Sequence, residues 1–143
     1  MADTSRAPYV ASAPFLTAAG ARAVLDAALA EADRIGVPQN VAVVDVGGHL
    51  LAFGRSDGAR TGSVPIAISK AVSAATRKRP TGDEGGGDPV AQIRLALAAD
   101  RVTGLAGGFP IVIDGHVAGG IGVSSGTTDD DIAVARAGLA ALA

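Results

Sequence analysis

Residues 41–81 read VAVVDVGGHLLAFGRSDGARTGSVPIAISKAVSAATRKRPT, and this stretch decides the fold. Asn40 to Val46 is β-branched and predicts a strand. Gly47-Gly48 is a two-residue hairpin signal, and His49 to Gly54 predicts the returning strand. Val41 and Val43 fall on one side of the ribbon and Ala42 and Val44 on the other, so both faces are apolar. A sheet apolar on both faces must be covered on both. Arg55-Ser-Asp57-Gly58 is turn chemistry. Ser63 is placed to cap a helix with Pro65 in its first turn. That helix runs to about Lys78, with Ile66, Ala67, Lys70, Ala71, Ala74 and Ala75 near one stripe, and Pro80 ends it.

Outward from this stretch the pattern recurs. Residues 1–14 have no helical or strand period and form an arm; 15–143 form one domain, as a chain of 143 residues predicts. From Thr17 to Ile35 apolar residues recur at helical spacing, stopped by Gly36 and Pro38. Gly82–Asp88, GDEGGGD, predicts a flexible loop, and Val90–Ala99 a short helix. Phe109–Ile113 and His116–Val123 predict a second hairpin around Asp114-Gly115, a type I′ pair. Gly119, Gly120 and Gly122 thin its second strand, which marks either a bulge or a close approach. Thr128 with Asp131 resembles a capping box opening a last helix. The fold class is therefore α+β: a central antiparallel sheet covered by helices on both faces, an α/β/α sandwich.

Composition narrows the function. Net charge is −2, which leaves no basic footprint for nucleic acid and no polybasic membrane patch. With no cysteine, thiolate catalysis and Cys-based metal sites are excluded. No apolar run reaches the roughly 18 residues of a membrane span. The N-terminus lacks a basic start followed by an apolar core, so the expected address is cytoplasmic. Aromatics are 3% of the chain, which counts against a large stacked ligand.

Several residues carry chemistry. Gly122-Val-Ser124-Ser-Gly126 matches G-x-S-x-G, but no histidine follows and seventeen residues remain after Gly126, so a glycine-rich turn is the better reading than a hydrolase elbow. His49 and His116 each follow a hairpin turn. They are either rim histidines or axial ligands to a haem or other metal. Two histidines without a third partner make no catalytic zinc site, so no bare-metal site is expected. Lys70 is either a solvated lysine or a partly desolvated one suited to binding an anion or moving a proton. Arg55 and Asp57 either pair across their turn or line a pocket mouth. Arg77, Lys78 and Arg79 read as a solvated helix end.

The pattern VVDVGGHLLAFGRSDGA, then SxxxAxxKAxxAATRxRPTG, then GGFPIVIDGHVAGGIGVSSG with Asp130-Asp131 and an Ala-rich helix resembles the GlcG/HbpS family, also called DUF336, with the PduO C-terminal domain as kin. The resemblance covers Thr17–Ala143. It implies a profilin-like sandwich assembled as homo-oligomers from dimer to octamer. It also implies haem or corrinoid binding in some members, a sensor role beside a kinase in secreted ones, and places in catabolic or biosynthetic operons for others. The leading expectation is a binding protein for haem, another tetrapyrrole or a small molecule, with His49 or His116 as cofactor ligands. The alternatives are a cofactor-free enzyme doing isomerisation, cyclisation or proton transfer, and an accessory oligomer without chemistry. In the enzyme Lys70 and Asp57 would be catalytic. The expected pocket lies where the Arg55–Asp57 turn meets Lys70 and the Gly107-Gly108 loop, with Arg55, Lys70, Gly107 and Gly108 on the ligand. Lys70→Met is expected to cost little stability and to abolish most ligand binding or turnover.

Overall fold

A computed structural model describes residues 8–82, 88–98 and 100–143. Residues 1–7, half of the arm at 1–14, and residues 83–87, most of the Gly82–Asp88 loop, therefore lie outside the described residues. The elements are α1 (Ala18–Ile35), β1 (Asn40–Asp45), β2 (Leu50–Arg55), α2 (Val64–Arg77), α3 (Pro89–Ala98), β3 (Gly108–Ile113), β4 (His116–Ser124) and α4 (Thr128–Ala140). The four strands form one antiparallel sheet in the order β2-β1-β4-β3. The two hairpins thus meet along β1 and β4, with Asn40 opposite Ser124 and Asp45 opposite Gly119.

Helices cover both faces, as the two-sided strands require. α1 and α4 close one face over Val41, Val43, Ile121 and Val123. α2 closes the other over Ala42 and Val44 with Ala67, Ala71, Val72 and Ala75. Burying a valine contributes about 1.5–3 kcal/mol, and small side chains contribute less each, so this core depends on close approach. The glycines of β4 provide it. A Cβ on Gly122 would run into the Ala67 carbonyl and the Ala71 amide, and one on Gly120 would sit 3.0 Å from the Ala75 Cβ. What comes close to the strand is the backbone of α2 itself.

Three local expectations are corrected. The first turn is the three-residue loop Val46–Gly48, not Gly47-Gly48 alone. The Asp45 N–H donates to the His49 carbonyl (2.8 Å) and Gly48 takes φ +84°, a turn closed by a left-handed residue. Ser63 does not cap α2: a 3₁₀ turn at Thr61–Ser63 leads into the helix, and in that helical conformation the Ser63 hydroxyl does not reach back to the first turn. The capping box of α4 is Thr127 with Asp130, one residue earlier than expected. The Asp114-Gly115 turn has both φ values positive (50° and 77°), as a type I′ turn demands.

Candidate functional site

The register fixes two distinct ends of the sheet. Both hairpin turns stand at one end; the C-terminus of β4 and the start of β1 stand at the other. The five residue steps from Gly119 to Ser124 span about 16 Å.

At the β4 end lies a cleft of about 710 Å³ between the N-terminal ends of α2 and α4. Its central feature is Lys70, buried at 3% exposure, whose place on the α2 stripe against Gly122 forces it around the end of β4. Its Nζ donates to the Val123 carbonyl (2.7 Å) and to Asp131 Oδ2 (3.0 Å) on α4, bridging the two layers. Asp131 is buried as well and its Oδ1 accepts the Gly126 N–H (3.1 Å). Burial pushes its pKa above the ordinary carboxylate value; the hydrogen bond and charge of Lys70, with Gln39 and Gly126, oppose that without cancelling it. Arg60 completes the charged set. Its N–H donates to Ser125 Oγ (2.9 Å) and its Nη2 to the Ser125 carbonyl (2.8 Å). Ser125 takes φ +120°, a conformation that a non-glycine residue holds only under restraint. Ser63, Ile66, Leu105, Ser124 and Thr128 also line the cleft.

The expected site residues are only partly gathered here. Lys70 lines the cleft; Arg55 and Asp57 do not. Arg55 ends the edge strand β2, and Asp57 lines a separate depression of about 290 Å³ beside Asp33, Gly36 and Pro38. The chain has to run on to Arg60 before it reaches α2. Among the described residues Arg55 and Asp57 form no ion pair with each other. Gly107 and Gly108 pack against Lys70 rather than opening towards a ligand. A Cβ on Gly107 would lie 3.0 Å from Lys70 Nζ, and one on Gly108 would strike the Lys70 carbonyl. The Gly108 N–H donates to Thr81 Oγ1 (2.9 Å) and the Gly107 carbonyl accepts the Val123 N–H (3.0 Å). Asp131 went unrecognised because its spacing from Thr128 imitates a cap. Arg60 lies in turn-like sequence that carries no signal of its own, while the sequence signals at Ser63 and Ser124 pointed to a helix cap and a glycine-rich turn rather than to a cleft wall.

At the hairpin end the side chain of His49 is 82% exposed. Its Nδ1 lies 3.2 Å from Asp45 Oδ1, the oxygen that also accepts the N–H groups of Gly47 and His49 (2.9 Å each). Burial pushes the Asp45 pKa up, but these backbone N–H groups and the imidazole outweigh it, so the net shift is downward. Val46 and Leu50, about half exposed, flank the turn. His116 is exposed at the start of β4, two strands away from β2.

A family model described as "Haem degrading protein HbpS-like" matches residues 16–140. The chain is 39% identical over 105 residues to protein GlcG of Escherichia coli K12, covering 73% of this chain and 77% of GlcG. It superposes on the crystal structure of a double mutant of Streptomyces reticuli HbpS with a TM-score of 0.84 at 33% identity, covering 96% and 94% of the two chains. A crystal structure of a PduOC–haem complex gives a TM-score of 0.80 at 26% identity over 90% of this chain and 95% of that one.

Proposed function

The chain belongs to the HbpS-like family, and from that premise we propose that it is a haem-related binding protein that takes its tetrapyrrole at the hairpin end of the sheet. The observation that carries this reading is the Asp45–His49 pair. A carboxylate on Nδ1 fixes the tautomer and leaves Nε2, on an exposed ring, as the donor; metal-ligating histidines are commonly held this way. A bound haem would supply an iron that needs such an axial donor. Val46 and Leu50 give the ring system apolar surface beside the imidazole. The cleft at the opposite end does not fit the iron, since no histidine, methionine or tyrosine lines it.

Haem titration followed by the Soret band tests this. His49→Ala is expected to shift the band and weaken binding most, and Asp45→Asn to weaken it by about 10–100-fold. His116→Ala is expected to matter less, because no carboxylate holds its ring among the described residues. An unchanged band position and affinity in the His49→Ala/His116→Ala double variant would overturn the assignment.

A further inference from the structure

We propose that the cleft at the β4 end is a separate binding site for the oxyanion head of a small organic acid, independent of any tetrapyrrole. Three observations converge on it. Ser63 and Ser124, 8% and 6% exposed, both line the cleft, and among the described residues neither hydroxyl has a hydrogen-bond partner. Both side chains belong to residues more than nine-tenths buried, and their hydroxyls open onto the cleft with no protein partner among the described residues, free to donate to an oxygen of a ligand seated there.

The second observation is the end of α4. Its capping box occupies the Asp130 N–H, through Thr127 Oγ1, and the Asp131 N–H goes to the Thr127 carbonyl. The amides of Thr128 and Asp129 remain, at the positive end of a 13-residue helix, with Thr128 on the cleft wall. The third is charge. Arg60, Lys70 and Asp131 are the charged side chains of the lining, one net positive charge. Asp131 neutralises Lys70, yet Lys70 uses two of its three donors internally and keeps one N–H. Arg60 spends its backbone N–H and Nη2 on Ser125 and keeps the rest of its guanidinium, a fork that matches an oxyanion. Asp129 and Asp130, the other acids of the first turn, do not line the cleft.

A bare ion would leave most of the volume empty. Ile66 and Leu105 form an apolar wall beside the donors, so the ligand is an acid with an apolar body. The head is either a carboxylate or a phosphate ester, and the probes separate them: benzoate and phenyl phosphate, with benzamide as the neutral match. Amide shifts of Thr128 and Asp129 in ¹⁵N spectra, with calorimetry, are the readouts. At least one anion is expected to bind saturably and benzamide not to. Benzoate alone assigns a carboxylic acid, and phenyl phosphate alone a phosphate ester. The Ser63→Ala/Ser124→Ala variant, with its fold checked by its melting curve, is expected to weaken binding about tenfold. Arg60→Ala is expected to do the same and Arg34→Ala, on the exposed face of α1, to change nothing. Equal binding of benzamide, no saturable shift from either anion by about 10 mM, or undiminished binding in the folded serine double variant would overturn the site. Haem titration uses different probes and variants, so the two assignments fail separately.

Discussion

At the scale of single residues, Lys70 and Asp131 stand or fall together. Both side chains are nearly inaccessible and face each other at 3.0 Å. Removing one partner of such a pair leaves an uncompensated buried charge, which costs about 3–5 kcal/mol. Lys70→Met, expected from the sequence to cost little, should therefore lower stability by that amount, read by urea unfolding. The Lys70→Met/Asp131→Leu double variant should recover most of the loss, since replacing a whole buried pair by apolar groups is often neutral. The pH dependence is signed. The folded pKa of Asp131 is raised, so its contribution to stability is full below the ordinary carboxylate value near 3.9 and is lost as pH rises through the folded pKa. With Lys70 gone the rise is larger, and acidification should restore part of the stability of Lys70→Met. Asp45 behaves oppositely. Its folded pKa is lowered, so its contribution is present above about 3.9 and is lost as pH falls through the folded value. Asp45→Asn should flatten that acid limb in a stability–pH profile.

At the scale of elements, one residue of register separates the sequence expectation for α4 from its role. Spaced three apart, Thr127–Asp130 and Thr128–Asp131 are equally good capping boxes on paper. Taking the first pair turns Asp131 inward to Lys70, whereas the second would have consumed it at the cap. Thr127→Ala should cost about 1 kcal/mol, visible as a lower melting temperature, and Thr128→Ala should cost little. The seam between α2 and β4 is the other element-scale device. Gly122→Ala would drive a methyl into the backbone of α2 at Ala67 and Ala71, and no rotamer relieves a clash with backbone. The variant should separate helix from sheet and, because Lys70 follows on the same helix, weaken anion binding as well. Thermal melts and benzoate titration of one sample would show both effects.

At the scale of the whole molecule, joining the hairpins through β1 and β4 decides which residues become neighbours. The order β2-β1-β4-β3 brings Arg60, Lys70 and Asp131 to one end and sends both histidines to the other. Tyr9 and Phe15 remain 86% and 74% exposed, which a homo-oligomer would cover. Light scattering is expected to return a dimer or larger, against 13.9 kDa for one chain. Among the described residues no helix is long and apolar enough to cross a membrane. The sequence by itself determined the elements and the layering: α1, both hairpins and α2 follow from apolar periodicity and turn residues, and strands greasy on both sides require helices on both sides. Those signals are local, carried within a few residues of where they act. Which loop meets which helix was decided only by tertiary structure. Arg55 and Asp57 looked like neighbours of Lys70 because they are close in sequence, but the strand pairing put Arg60 there instead. Lys70 and Asp131 are 61 residues apart, and no local pattern can specify a pair that exists only once β4 has been laid between them.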